Sequence, residues 1–228
     1  MNFVWMLGSG SNHQNEEIRY SIRSVVKFHP ESTITIVGEL PRFYSGDHYY
    51  YPDETDNPYV NVWKKMEYTC TLFDEWICMN DDFYLLKPFK PKHYYYKDIR
   101  RHARTVGSGN WGMCIKNTAK LLPDTKRWTI HSPLPIVSKD FMRIANMYPN
   151  RHENPVSPRA VYCHHEDRFD KVEMRDVKYR GTIRKPIKTP FFSIANNFRR
   201  NRELFERLYP NKCKYENSMY ISKTLVQK

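Results

Sequence analysis

Apolar and polar positions follow two different rhythms along the first 86 residues. Residues 2–7 form a continuous apolar run, and residues 33–37 form a run of mainly β-branched side chains that ends at Gly38. Between them, apolar residues recur every three or four positions, which is the spacing of a buried helical face; these are Ile18, Ile22, Val25 and Val26. The pattern predicts a strand, a helix over 15–28 and a second strand, and that order predicts a parallel sheet.

A third strand is predicted at residues 76–79, where four apolar side chains stand together. A continuous apolar run of this length is typical of a strand covered by helices on both faces. The polar residues 39–57 before it predict a long loop. Asp56 or Asn57 can then cap a helix that begins at Pro58.

The second half of the chain has a weaker pattern. A basic, aromatic segment spans 87–104, and the glycine-rich residues 107–112 are interpreted as a strand edge and loop. Helices are predicted from Ser138, taken as the cap, to about residue 148, and over roughly 198–209. The regular spacing of apolar segments across 228 residues gives no reason to divide the chain, so a single domain is expected.

Charge and cysteine content narrow the class of protein. The net charge of +12 attracts polyanions, among which a nucleotide-sugar phosphate, duplex DNA, an anionic surface polymer and a membrane surface are all compatible. Five cysteines at no metal-ligand spacing suit reduced thiols. The chain shows neither a signal-peptide pattern nor an apolar run long enough to span a bilayer, so a cytoplasmic protein without a transmembrane segment is expected.

The adjacent carboxylates Asp81 and Asp82 follow the predicted strand at 76–79. Ligands of open α/β sheets bind outside the carboxyl ends of the strands. Two neighbouring carboxylates in such a place repel each other, and a divalent cation removes that cost. We therefore predict a catalytic site that binds Mg²⁺ or Mn²⁺ through Asp82 and Asp81, with Asn80 beside it. The alternative is that the pair only caps a turn.

Donor-binding candidates lie near the first predicted strand. Gly8, Ser9 and Asn12 belong to a run of small residues that permits close approach of the backbone to a ligand. Arg19 and Arg23 share the polar face of the first helix and can clamp a diphosphate by bidentate hydrogen bonds, with Glu16 or Glu17 orienting them. The alternative is a solvated helix face.

His131 is the candidate general base. Two prolines, at 133 and 135, stiffen its segment, and an imidazole titrates near neutral pH. A structural histidine is the alternative. The short run at 164–167, His-His-Glu-Asp, is interpreted as a polar loop rather than a metal site.

A basic segment at 171–188 is the candidate acceptor or polyanion site. It is rich in cations and includes a tyrosine, a composition that can follow a phosphate backbone. The residues chosen from it are Lys178, Arg180, Arg184 and Lys185. A solvated surface is the alternative interpretation.

Four segments resemble one family in the same order. Residues 15–25 resemble the Asp-Asn-x-Glu-Leu-Arg-Tyr-Ser-Leu-Arg-Ser-Val signature of the Stealth-type sugar-phosphate transferases. Residues 61–67 look like that family's Asn-x-x-x-Ile-Glu element, 79–83 its Asn-Asp-Asp strand end, and 131–133 its His-x-Pro element.

The resemblance extends to small phage and bacterial glycosyltransferase-like proteins through residues 191–193 and 208–210. It implies an α/β fold that is GT-A-like (Rossmann-like), with a mostly parallel sheet flanked by helices. It also implies a metal and donor site at the Asn-Asp-Asp element. The family's usual Tyr-x-Trp-Val-Asp opening is absent at residues 4–8, so simple glycosyl transfer stands beside sugar-phosphate transfer.

The predicted function is transfer of a sugar from a nucleotide-sugar donor to a hydroxyl acceptor, with a hydroxymethylated base in phage-like DNA as one acceptor. A surface polysaccharide acceptor, hexose-1-phosphate transfer and a non-catalytic nucleic-acid-binding module are the alternatives. Residues 1–86 are predicted to form the nucleotide-sugar-binding half and 87–228 the acceptor-side half.

Overall fold

Five strands form the central sheet, in the order β3-β2-β1-β4-β7, in a computed structural model that describes residues 1–8 and 16–217. These strands are β1 (Asn2–Leu7), β2 (Thr33–Gly38), β3 (Asp47–Tyr49), β4 (Glu75–Met79) and β7 (Leu134–Val137). The first four run parallel, and β7 pairs antiparallel with β4. The prediction of a mostly parallel sheet is therefore confirmed.

Helices cover both faces of this sheet, which explains why most side chains of its central strands are apolar and buried. On one face, Ile18 and Ile22 of α1 (Glu16–Phe28) pack with Trp5 of β1 in one hydrophobic core. On the other face, α2 (Pro58–Leu72), α5 (Ser138–Asn146) and α6 (Pro158–His165) enclose a second core. Alternate side chains of one strand serve the two cores, as Trp5 and Val4 do.

A smaller sheet packs beside α1 and brings distant segments together. It contains β5 (Phe83–Leu85), β10 (Phe191–Ile194) and β9 (Lys178–Tyr179), in the order β5-β10-β9. Its register sets Ser193 opposite Phe83 and also opposite Lys178. The second half of the chain thus reaches the residues that follow β4.

The remaining elements are short. β6 (His93–Tyr95) pairs with β8 (Lys171–Glu173), and α3 (Ile99–Ala103) packs against α4 (Asn110–Leu121). The last described helix is α7 (Arg202–Leu208), and the described chain continues to residue 217. Among the described helices, none combines the length and the apolar character that crossing a membrane requires.

Two predicted boundaries differ from the structure. Residues 107–112, expected as a strand edge and loop, lead into α4, whose helical turns begin at Asn110. A Cβ atom at Gly112 would lie 1.8 Å from the carbonyl oxygen of Gly107, so this helix start requires glycine there. Ser138 is the first helical residue rather than the cap, because its hydroxyl donates to the carbonyl of Phe73 instead.

Two segments are divided more finely than predicted. The loop at 39–57 contains the short strand β3. The helix expected over 198–209 is a 3-10 turn at Arg199–Asn201 followed by α7. The cap of α2 is as predicted, since Asn57 accepts a hydrogen bond from the backbone N–H of Tyr59 at 3.0 Å.

Candidate functional site

The turn after β4 lies at the edge of the sheet where the parallel strands have their carboxyl ends. Ser21 of α1 fixes this turn: its hydroxyl accepts from the indole nitrogen of Trp5 at 3.0 Å and donates to the carbonyl oxygen of Phe83 at 2.5 Å. Asn80 is exposed, so its side chain is open to a ligand. Through Ser21, the turn is anchored to α1 and β1.

Asp82 is buried, with an exposed fraction of 8%. Its Oδ2 atom accepts from Lys178 Nζ at 3.0 Å and from the Ser193 hydroxyl at 2.7 Å. Both partners come from the smaller sheet, where they are paired in register. Lys178, which the sequence placed in a polyanion-binding segment, therefore lies in the same site as the carboxylates.

Glu17 and Asp81 complete an acidic cluster with Asp82. Burial first, and then the charges of Asp81 and Asp82, raise the pKa of Glu17 to about 7. Burial, followed by the charge of Asp82, raises the pKa of Asp81 to about 6. Lys178 opposes both shifts. The carboxylates of Glu17, Asp81 and Asp82 therefore repel one another, and a bound cation or proton would reduce this repulsion.

Glu17 is a site residue for which the sequence predicted a different role. Either Glu16 or Glu17 was expected to orient Arg19 and Arg23. Glu16 pairs with Arg19, with its Oε1 atom 2.9 Å from Arg19 Nη2, and Arg23 pairs with Glu216 instead. The location of Glu17 in the first turn of α1, directly after the glycine-rich segment, was the available signal for a role at the sheet edge.

The side chains of Asp81 and Asp82 give this turn two carboxylates, a donor type that suits a hard divalent cation. Carboxylate oxygens are the ligands that Mg²⁺ and Mn²⁺ prefer, and such ions commonly take their other ligands from phosphate and water. Within residues 1–8 and 16–217, no three His, Cys, Asp or Glu side chains are grouped as a metal cage. The role of Asp81 and Asp82 in metal binding stays a prediction.

His131 lies next to the same turn. Its ring meets the ring of Phe83 edge-on, with centroids 6.3 Å apart. Its Nδ1 atom is 2.9 Å from Oδ1 of Asp176, and Oδ2 of Asp176 accepts from Arg127 at 2.6 Å. Burial opposes the charge of Asp176, but the hydrogen bond from His131 and the charges of His131 and Arg127 hold the pKa of this carboxyl well below its usual range.

The contact between His131 and Asp176 determines which ring nitrogen of His131 can act as a base. An ionised carboxylate only accepts hydrogen bonds, so Nδ1 of His131 carries the proton that Asp176 accepts. The Nε2 atom is then the ring nitrogen able to take up a proton. Asp176 was not predicted from the sequence, because 45 residues separate it from His131.

Arg19 and Arg23 are engaged elsewhere. Arg19 Nη1 lies 3.0 Å and Arg23 Nε 2.6 Å from the carboxylate of Glu216, which is almost fully buried. Arg23 also donates to the carbonyl oxygen of Tyr209 at 3.2 Å. These contacts tie the end of the described chain to α1. A phosphate-binding role for the two arginines stays a prediction that would require breaking these pairs.

The glycine-rich segment lies only partly within the described residues. A Cβ atom at Gly8 would stand 2.8 Å from a carboxylate oxygen of Asp53, so glycine permits this close approach. Asp53 lines an open, polar pocket of about 480 Å³ with Asn61 and residues 54–56 and 58. Ser9 and Asn12 lie outside the described residues.

The other predicted polyanion-binding residues are on the surface. Arg180, Arg184 and Lys185 are exposed, and none of them has a carboxylate within ion-pair distance in the described part of the chain. The run at 164–167, expected as a loop, instead begins with the last two residues of α6, and its Glu166 is buried.

No protein-family model matches the chain, and no curated protein is similar to it in sequence. Solved structures are similar in fold. A crystal structure of the galactosyltransferase LgtC in complex with donor and acceptor sugar analogs is 9% identical, with a TM-score of 0.52 over 92% of this chain and 95% of that one. An active-site mutant of LgtC is 10% identical, with a TM-score of 0.51 over 91% and 95% of the two chains.

These matches confirm the predicted fold class. The chain is an α/β protein with a GT-A-like, mostly parallel sheet flanked by helices. At 9–10% identity the likeness concerns the fold alone. Neither the Stealth-type resemblance nor the predicted division at residue 86 is tested by it.

Proposed function

We propose that this protein is a glycosyltransferase that moves a sugar from a nucleotide-activated donor to a hydroxyl acceptor. The observation that carries the proposal is the cluster of Glu17, Asp81 and Asp82 at the carboxyl end of β4, beside the His131–Asp176 pair. Ligands of open α/β sheets bind at this edge, and the raised pKa values of Glu17 and Asp81 support a site for a bound charge.

Binding of the donor diphosphate is assigned to the turn at residues 80–82, called here the acidic turn. Asp81 and Asp82 would hold Mg²⁺ or Mn²⁺, which when bound neutralises charge on the leaving nucleotide diphosphate. Lys178, hydrogen-bonded to Asp82, adds a fixed positive charge at the same place. Asn80 and Gly8 lie along the edge where the rest of the donor would run.

The transfer step is assigned to His131. The acceptor oxygen forms a bond to the anomeric carbon of the sugar while the bond from that carbon to the diphosphate oxygen breaks. Nε2 of His131 takes the proton of the acceptor hydroxyl as the new bond forms. Asp176 fixes the ring through Nδ1 and stabilises the positive charge that the imidazole acquires.

The acceptor is proposed to be a hydroxymethylated base in DNA, in a cytoplasmic setting such as a phage-infected cell. The net charge of +12 and the exposed cations Arg180, Arg184 and Lys185, which pair with no carboxylate among the described residues, favour a polyanion. A base acceptor must lie exposed in the groove or leave the stack to reach the site. A surface polysaccharide is the competing acceptor.

Hexose-1-phosphate transfer is the second candidate, favoured by the order of the four Stealth-like segments. The two reactions differ in which bond of the donor breaks. Product mass distinguishes the two reactions. Glycosyl transfer adds only the sugar to the acceptor, whereas sugar-phosphate transfer adds the sugar and a phosphate group.

The test is incubation with a panel of nucleotide sugars and Mg²⁺ or Mn²⁺, with and without hydroxymethylated DNA, followed by mass analysis. Turnover is expected in the wild type and not in the Asp81→Ala, Asp82→Ala double variant. The matched control is Asp167→Ala, Asp170→Ala, which removes two exposed carboxylates that each pair with a lysine.

Full turnover by the first double variant would overturn the site assignment. Salt-sensitive DNA binding, with no turnover of any donor by the wild type and no loss of binding in that variant, would instead support a non-catalytic nucleic-acid-binding module. Nucleotide release without change to the DNA would favour a glycan or another acceptor.

A further inference from the structure

Arg159 contacts two segments of the proposed site, the one that contains His131 and the one that contains Asp82. It lies in the first turn of α6, and its Nη1 atom donates to the hydroxyl of Ser132 at 3.3 Å. Its guanidinium carbon is 5.9 Å from the centroid of the Phe83 ring. Ser132 follows His131 and Phe83 follows Asp82, so the guanidinium adjoins both functional segments.

Arg159 differs from the other cationic side chains that are not exposed. Each of the others has a carboxylate within 3.0 Å in the described part of the chain; they are Arg19, Arg23, Lys64, Lys65, Lys92, Arg127, Arg151 and Lys178. Arg159 has none within ion-pair distance among the described residues, and the Ser132 hydroxyl is its polar contact.

An unpaired guanidinium in such a place is costly. Burial lowers the pKa of Arg159 and the nearby Cys78 and Cys163 act in the opposite direction, yet a guanidinium stays protonated at neutral pH. Partly buried charges are normally paired, and breaking or omitting the pair leaves an uncompensated charge. A cost of this kind is retained where a ligand supplies the missing partner.

We propose that Arg159 binds a phosphate oxyanion of the substrate. A guanidinium presents a planar fork of donors that matches two oxygens of one phosphate group. The phosphate comes either from the diphosphate of the donor or from a phosphorylated acceptor. This assignment deepens the proposed function and rests on it, because Arg159 adjoins the residues to which donor binding and proton transfer are assigned.

The proposal is tested by measuring binding of two kinds of probe. The nucleoside diphosphates UDP, GDP and ADP represent the donor, and glucose 1-phosphate represents a phosphorylated sugar. Isothermal titration compares the wild type with Arg159→Met, Arg159→Lys and the control Arg168→Met. The control removes the same charge from an exposed arginine that pairs with Glu75.

Arg159→Met is expected to weaken the affinity for one kind of probe by about tenfold or more, because a hydrogen bond to a charged group is lost. Arg159→Lys is expected to lose affinity for the same probe, since it keeps the charge but not the fork, and Arg168→Met to change it less than about twofold. Loss confined to nucleoside diphosphates identifies the donor phosphate, and loss confined to glucose 1-phosphate identifies the acceptor.

The melting temperature without ligand supplies a second readout. Removing an unpaired, partly buried charge is expected to leave it equal or higher in Arg159→Met, whereas a structural arginine would give a lower value. Unchanged affinity for every probe in both Arg159 variants overturns the proposal, as does a wild type that binds none of them. If Arg159→Met does not fold, Arg159→Lys decides in the same way.

This outcome is separable from that of the proposed function. Phosphate binding that depends on Arg159, without turnover of any nucleotide sugar, would overturn the proposed function and keep the Arg159 assignment. Turnover that is normal in both Arg159 variants, with unchanged affinities, would overturn the Arg159 assignment and keep the proposed function.

Discussion

Nζ of Lys178 lies 3.0 Å from Oδ2 of Asp82, although 96 residues separate the two along the chain. The small sheet creates this contact by pairing Lys178 with Ser193 and Ser193 with Phe83. A cation from the second half of the chain thereby balances part of the negative charge at the end of β4. The Lys178–Asp82 contact therefore depends on the pairing of strands in the smaller sheet.

Replacement of Lys178 by Met removes that cation and is expected to destabilise the protein by about 1–3 kcal/mol at pH 7.5, because Asp82 loses a buried hydrogen-bond partner. The loss should be smaller at pH 5, where protonation of Glu17 and Asp81 reduces the repulsion. Urea denaturation at the two pH values measures this. Lys92→Met, which breaks the exposed pair with Asp170, should change little. An equal loss at both pH values would contradict the coupling.

Glu17 and Asp81 give the stability a definite pH dependence. Folding raises both pKa values, to about 7 and about 6, from ordinary values of 4.5 and 3.8. Their contribution is therefore fully present below about pH 4 and is lost as the pH rises through about 7. Glu17→Gln should flatten the fall in melting temperature between pH 5 and pH 8. Glu203→Gln, at an exposed position in α7, should leave the curve parallel to the wild type, and parallel curves for Glu17→Gln would argue against the cluster.

A divalent cation should reduce the repulsion among Glu17, Asp81 and Asp82. Adding Mg²⁺ or Mn²⁺ with a nucleoside diphosphate at pH 7.5 is expected to raise the melting temperature, since a ligand that binds only the folded state stabilises it. The shift should be absent in the Asp81→Ala, Asp82→Ala variant and retained in Asp167→Ala, Asp170→Ala. Equal shifts in the two double variants would place the cation elsewhere.

Local patterns were sufficient to predict the frame of the site. The strand–helix–strand opening, the cap at Asn57 and the position of Asp82 after a buried strand all depend on residues close together in the sequence. Each follows from the side-chain periodicity of helices and strands or from the hydrogen bonds at a helix start. The parallel order of the main sheet follows from those elements.

Long-range partners were beyond the sequence patterns. Lys178, Ser193, Asp176 and Glu216 reach the sheet edge or α1 only through pairing of distant segments. Glu16 and Glu17 show the same limit within one helix. Successive helical side chains point about 100° apart, so Glu16 faces Arg19 while Glu17 turns toward the acidic turn. Choosing between them requires knowing how α1 is rotated on the sheet.

Glu216 is expected to hold the end of the described chain in place. Glu216→Gln removes the buried carboxylate that pairs with Arg23 and one of the two that pair with Arg19, which should cost about 3 kcal/mol. The affinity for nucleotide sugars should stay unchanged if the two arginines are structural. Urea denaturation and donor titration measure the two effects, with Glu206→Gln as the exposed control. A large loss of donor affinity with normal stability would instead favour the predicted phosphate clamp.

His131 and Asp176 should behave as one catalytic unit. His131→Ala removes the proposed base and is expected to lower kcat by about 10²–10⁴-fold. Asp176→Asn leaves the ring without its charged partner and should lower kcat by a smaller factor. The double variant should be no slower than His131→Ala alone, because Asp176 acts through the ring. Multiplicative effects in a steady-state comparison of the four proteins would show instead that the two residues act independently.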